Sequence, residues 1–144
     1  MAVAEDFTIE EKEEQERMVL ESVDRFLERD VEPFAHDLEA DDTYPQEIVD
    51  KMVDMGLFGA TIGMEYGGLG LSVSTYAKIV ERVSTVWMSV SGIFNSHLIM
   101  AAAVERSGTE EQKAKWLPKF ASGELRGGIA LTEPDAGTDL QGIR

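Results

Sequence analysis

Apolar residues return at three- and four-residue steps along most of the chain, the spacing of a helix with one buried face. Met18, Val19, Val23, Phe26 and Leu27 make the first such stripe. Thr8 and Glu11 stand ahead of it in capping-box order: the Thr oxygen accepts from a free backbone N–H and the Glu carboxylate reaches back. Pro33 interrupts this helix, because it has no N–H to donate and it restricts Glu32; Phe34 and Leu38 continue a second segment. Pro45 suits the first turn of a third helix, which would turn Ile48, Val49, Met52 and Met55 inward and stop at Gly56. A loop, Gly63-Met64-Glu65-Tyr66-Gly67-Gly68-Leu69-Gly70, comes next. Ser72 or Ser74 then opens a long helical stretch, with a break expected near Ser84–Val86 and an end at Gly108. Thr109 and Gln112 form a second capping box before a short helix with Trp116 and Phe120, bent by Pro118 and closed by Gly123.

The pattern changes after Gly127-Gly128. Ile129-Ala130-Leu131-Thr132 reads as a short buried strand, and Pro134, Gly137 and Gly142 punctuate the residues after it. A lone strand is not stable, since its backbone donors and acceptors need neighbours. The expected class is therefore all-α: a helical bundle over residues 1–125, then, at 126–144, the first strand of a β-domain truncated at Arg144.

At 144 residues the chain is large enough for one domain, which buries roughly 68–70% of its unfolded surface. The net charge of −15 argues against nucleic acid or an anionic membrane as partner, because both reward Lys and Arg. Residues 1–54 hold 19 acidic and 5 basic side chains, whereas residues 55–144 hold 9 and 8. The acid thus forms a solvated shell on the first third, and Glu10-Glu11-Lys12-Glu13-Glu14 reads as an exposed helix face. With no Cys, disulfides, thiolate nucleophiles and Cys-bound metals are excluded. Met1–Phe7 carries Glu5 and Asp6 in place of a basic leader, so a cytoplasmic protein is expected. Val83–Val104 is free of Asp, Glu, Lys and Arg, but its Ser, Thr, Asn and His residues fit a helix buried in protein better than a membrane span.

Few side chains carry chemistry of their own. His36 and His97 have no ligand-spaced partners, so no metal site is expected. His36-Asp37 belongs to the acidic surface, and His97 reads as a satisfied core histidine. Gly67-Gly68-Leu69-Gly70 lacks both the Lys of a P-loop and the Rossmann spacing, leaving a structural turn. On the long helix, Ser84, Met88, Ser91, Asn95 and Leu98 share one stripe and Val90, Phe94, His97 and Ala101 its neighbour. The turn after Leu131 is more informative. A Gly-rich turn leaving a strand bares N–H groups that bind carbonyl or phosphate oxygens, and Thr132 and Thr138 add hydroxyls.

Gly128-Ile129-Ala130-Leu131-Thr132-Glu133-Pro134-Asp135-Ala136-Gly137-Thr138-Asp139-Leu140-Gln141-Gly142 resembles the signature of the acyl-CoA dehydrogenase family. Ala130, Leu131, Thr132, Glu133, Ala136, Gly137, Thr138, Asp139 and Gly142 fit it, nine places in thirteen. Glu65-Tyr66-Gly67-Gly68-Leu69-Gly70 is similar to the family's early loop, with Gly63 where the family usually has Pro. Gly108-Thr109-Glu110-Glu111-Gln112-Lys113 and Leu117-Pro118 resemble its connector and short helix. The resemblance implies the family's amino-terminal helical domain and the first edge of an FAD site. Ile129, Leu131 and Thr132 would lie along the flavin ring, Gly137 and Thr138 nearer the pyrophosphate, and Thr138 also beside the acyl-CoA. Phe94, Asn95 and Leu98 would be walls of the acyl pocket. In the family a carboxylate base takes the α-proton of the thioester, the β-hydrogen leaves as hydride to the flavin, and an electron-transferring flavoprotein reoxidises it. The family's base lies beyond Arg144, so no residue here, Glu133 included, is assigned to catalysis. A homotetramer is implied for the full-length enzyme, and inactivity for these residues alone. The alternatives are a non-enzymatic helical interaction module, or the same fold serving an acyl-CoA oxidase or flavin monooxygenase.

Overall fold

The computed structural model describes residues 8–144; the leader expectation on Met1–Phe7 lies outside the described residues. Helix α1 (Ile9–Phe26) opens on its capping box: Thr8 Oγ1 accepts from the Glu11 N–H at 3.2 Å, and Glu11 Oε2 accepts from the Thr8 N–H at 2.7 Å. Its buried stripe is Leu20, Val23, Phe26 and Leu27. Met18, expected inward, is 59% exposed. It sits five residues before Val23, roughly 140° around the helix from it, and Leu20 takes the place on the core side.

One wide turn, Leu27–Val31, joins α1 to α2 (Glu32–Ala40), with the Glu32 N–H bonded to the Leu27 carbonyl five residues back. This admits Pro33 at the start of α2, where a missing N–H costs nothing, and it turns both Leu27 and Val31 into the core. Pro45 precedes α3 (Gln46–Asp54), which buries Ile48, Val49 and Met52 and leaves Met55 half-buried. Gly56 stops it at φ 73°, a left-handed conformation natural to glycine.

Helix α4 (Val73–Ser107) starts at Ser72, whose hydroxyl accepts from the Thr75 N–H, and it is broken by one extended residue, Trp87 (φ −154°, ψ 104°). The break falls one residue beyond the expected span and is sharp. On a straight helix Tyr76 and Asn95 would be about 28 Å apart, yet the Tyr76 hydroxyl donates to Asn95 Oδ1. Ser84 Oγ and Ser91 Oγ meet at 3.0 Å across the bend. The limbs, 73–86 and 88–107, therefore double back on each other. The first runs parallel to α1, tied by Thr75 and Lys78 to Glu16 and by Arg82 to Asp24. By length and composition α4 could cross a membrane; here it is bent at its middle, and Ile79, Val83, Val90, Phe94, Leu98 and Ala101 fill the core of the bundle.

Helix α5 (Glu110–Ala121) has the second capping box, Thr109 with Gln112, and packs Leu117 and Phe120 inward. The segment Ile129–Thr132 forms no strand, and no sheet occurs among the described residues. Ile129 and Leu131 are 45% and 51% exposed, which corrects the expectation of a buried strand: no neighbouring strand pairs with its backbone or covers its side chains. Among the described residues the one β-type pairing closes the tight turn Glu133–Ala136.

Candidate functional site

The second limb of α4 has two unlike faces. Val90, Phe94, His97, Leu98 and Ala101 point into the bundle. Opposite them Met88, Gly92, Ser96, Ile99 and Ala103 succeed one another at three- and four-residue steps and are exposed, Met88 at 74% and Ile99 at 51%. This second stripe is small or apolar, without a charge. It is an open, uncharged wall of the kind that an apolar ligand or another domain covers. Phe94 and Leu98, expected as pocket walls, are 0% and 2% exposed and pack in the core. Each lies on the side of the limb that packs on the other helices, which is where an aromatic and a leucine bury most area. Asn95 stands at the border, half-buried and held by Tyr76, whose hydroxyl burial pushes to a higher pKa. Sequence reasoning missed Gly92, Ser96 and Ile99. The signal was available in their spacing from Met88, opposite the Val90–Phe94–His97–Ala101 stripe.

The signature segment reaches this wall directly. A Cβ on Gly127 would stand 2.9 Å from Met100 Cε, and one on Gly128 would be 3.9 Å from Ser96 Cβ, so the glycine pair runs close over the limb. Arg126 secures the approach, with Nη1 donating to the Tyr44 hydroxyl at 3.3 Å and the guanidinium 5.8 Å from the Phe58 ring centre. Ile129, Leu131, Thr132 and Thr138 are exposed beyond it. Around Gly137 the space is open, with nothing within 4 Å of an added Cβ. Among the described residues, the N–H groups of Gly137 and Thr138 take no backbone partner. Asp139 caps the short turn Leu140–Gly142 by accepting from the Gln141 N–H at 3.2 Å. Glu133 Oε2 accepts from the Arg144 N–H at 3.1 Å. Exposed aliphatic side chains next to open N–H groups and hydroxyls suit a flat apolar ring that carries a phosphate tail.

His97 is fully buried, edge-on to Phe58 at 5.2 Å and to Phe120 at 5.7 Å. Burial, first of all, holds its pKa below the usual value, with Arg126 adding to the effect. His36 is exposed, with Asp37 its neighbour at 3.3 Å. Gly67 (φ 82°) and Gly70 (φ 59°) turn the loop before α4, and a Cβ at Gly68 would lie 2.1 Å from the Ile62 carbonyl oxygen. That loop is a packing device.

The sequence model of the acyl-CoA dehydrogenase, N-terminal domain, matches residues 13–124. The chain belongs to the acyl-CoA dehydrogenase family. It is 38% identical over 133 residues to the (2S)-methylsuccinyl-CoA dehydrogenase of Cereibacter sphaeroides, covering 92% of this chain and 24% of that protein. It is 38% identical over 135 residues to the short-chain-specific acyl-CoA dehydrogenase of Clostridium acetobutylicum, covering 93% and 35%. Among solved structures, butyryl-CoA dehydrogenase from Megasphaera elsdenii superposes with a TM-score of 0.83 at 28% identity, over 95% of this chain and 36% of that one. A chain from the electron transferring flavoprotein study of Acidaminococcus fermentans matches with a TM-score of 0.83 at 32% identity, over 95% and 36%. An acyl-CoA dehydrogenase complexed with FAD from Bacillus anthracis matches with a TM-score of 0.76 at 29% identity, over 99% and 24%. The chain thus spans about a quarter to a third of the length of these dehydrogenases. Its helical class agrees with theirs.

Proposed function

We propose that this chain is the amino-terminal part of an FAD-dependent acyl-CoA dehydrogenase that removes hydrogens from the α and β carbons of an acyl-CoA thioester. Residues 1–125 are its helical domain and residues 126–144 lead into its middle domain. The observation that carries the reading is the placement of the signature segment against the open wall of α4, with Gly128 beside Ser96. The wall supplies apolar surface for the acyl chain through Met88, Gly92, Ile99 and the border residue Asn95. Ile129, Leu131 and Thr132 would hold the flavin ring, Gly137 and Thr138 its phosphates, and Thr138 would also approach the thioester. When bound, FAD supplies the hydride acceptor. The residues of this chain bind, orient and exclude water, and the base that takes the α-proton belongs to sequence beyond Arg144. An electron-transferring flavoprotein is the proposed electron acceptor and a homotetramer the proposed assembly.

The test is expression of this chain alone and of the longer reading frame that contains it. The frame is expected to run on for some 200 residues or more, on the scale of one or two further domains. The longer protein is expected to bind FAD stoichiometrically, and its flavin to be reduced by an acyl-CoA without air. The 144-residue chain is expected to bind FAD weakly and to leave acyl-CoA unchanged. A stop directly after Arg144, with no flavin bound, would contradict the proposal and favour a helical interaction module using the same exposed wall. Prompt peroxide formation by the reduced flavin would favour an oxidase.

A further inference from the structure

Among the described residues, His97 is the one fully buried titratable ring that the proposed function leaves unused, and its two nitrogens have specified partners. Nε2 lies 3.1 Å from the Phe120 carbonyl oxygen, which can only accept; the Gly127 N–H, 3.4 Å from Nδ1, can only donate. Only the neutral ring with its proton on Nε2 satisfies both. The ring thereby joins the second limb of α4, the end of α5 and the first residue of the glycine pair. The Gly127 contact is long and so weak by itself. It is supported by Arg126 on Tyr44 and Phe58, one residue earlier.

We propose that His97 is a positioning residue of the flavin site: by accepting from the Gly127 N–H it fixes where the signature segment leaves the helical domain and how it lies against the wall of α4. The proposal rests on the flavin reading, but the contact itself is measurable without flavin. A proton on Nδ1 would set two donors face to face and release Gly127. Arg126 is the charged group facing the ring from the 126–128 segment; from the other two sides Phe58 and Phe120 present aromatic edges and backbone carbonyl oxygens, which accept a hydrogen bond but carry no charge, so no carboxylate there would hold a second proton in place.

The experiment uses Gly127→Pro, which deletes the donor and leaves the core ring in place, with Gly127→Ala as the control that keeps the N–H. In the 144-residue chain, nitrogen NMR of His97 is expected to show the Nε2–H form. Gly127→Pro should move the Nδ1 resonance and raise the proton affinity of the ring about three- to tenfold, because a bond favouring the neutral form is gone; Gly127→Ala should do neither. In the flavin-loaded longer protein, Gly127→Pro is expected to alter the visible circular dichroism of the flavin, and Gly127→Ala to preserve it. Equal His97 titration in the two variants, or a proton found on Nδ1, would overturn the contact. An altered titration with unchanged flavin dichroism would overturn the positioning role. A longer protein that takes up no flavin would defeat the functional reading while the NMR comparison still decided the contact.

Discussion

A buried neutral histidine makes stability depend on pH with a definite sign. The pKa of His97 is depressed in the folded state from its usual 6.5, chiefly by burial. Its neutral form therefore contributes fully above 6.5, and that contribution is lost as pH falls through the folded-state pKa, because the unfolded chain takes up the proton first. Unfolding free energy measured between about pH 7.5 and 5 is expected to fall in the wild type and to flatten in His97→Asn. Equal slopes would show that the ring is not held neutral. Gly68 makes a steric claim of the same local kind. A Cβ there would lie 2.1 Å from the Ile62 carbonyl oxygen and 2.8 Å from that of Gly59, both backbone atoms that cannot step aside. Gly68→Ala should destabilise by about 1–3 kcal/mol in denaturant titration. Gly67→Ala meets open space and has only its positive φ to accommodate, so it should cost about 1 kcal/mol.

Between residues and fold, the doubled-back α4 decides which side chains face outward. Tyr76 and Asn95 bind its limbs together, and Phe94 meets the Tyr76 ring edge-on at 6.3 Å. Tyr76→Phe and Asn95→Ala should each destabilise, with a coupling of about 0.5–1.5 kcal/mol in a double-mutant cycle. Additive effects would mean that the limbs are held by packing alone. Both capping boxes, the stop at Gly56 and an opening at Ser72 or Ser74 were legible in the sequence, because each depends on a residue within three positions of the backbone it serves. The Trp87 bend was legible only to within a residue or so, since a hydroxyl-rich run weakens a helix without saying where it folds. The two faces of the second limb were harder to separate. Phe94, Asn95 and Leu98 were the residues expected to face a pocket, and which way each turns depends on how the second limb packs on the rest of the bundle, contacts such as Phe94 with Tyr76 that are distant in sequence. Ile129–Thr132 has a strand's composition, but a strand's structure depends on neighbours that the described residues do not provide.

For the molecule as a whole, the exposed apolar wall of α4 and the exposed signature segment beside it are two halves of one surface. A folded domain seldom leaves such a stretch uncovered unless something binds there. The account places an acyl chain on the wall and a flavin on the segment. The most direct measurement is a titration of the flavin-loaded longer protein with acyl-CoA thioesters in the absence of air, tracking the visible flavin band. The account predicts that the band bleaches with one equivalent of a suitable saturated thioester, and that the enlarged side chain of Gly92→Phe weakens binding of the thioester without loss of flavin. Bound flavin that no acyl-CoA bleaches, or bleaching that Gly92→Phe leaves untouched, would contradict it.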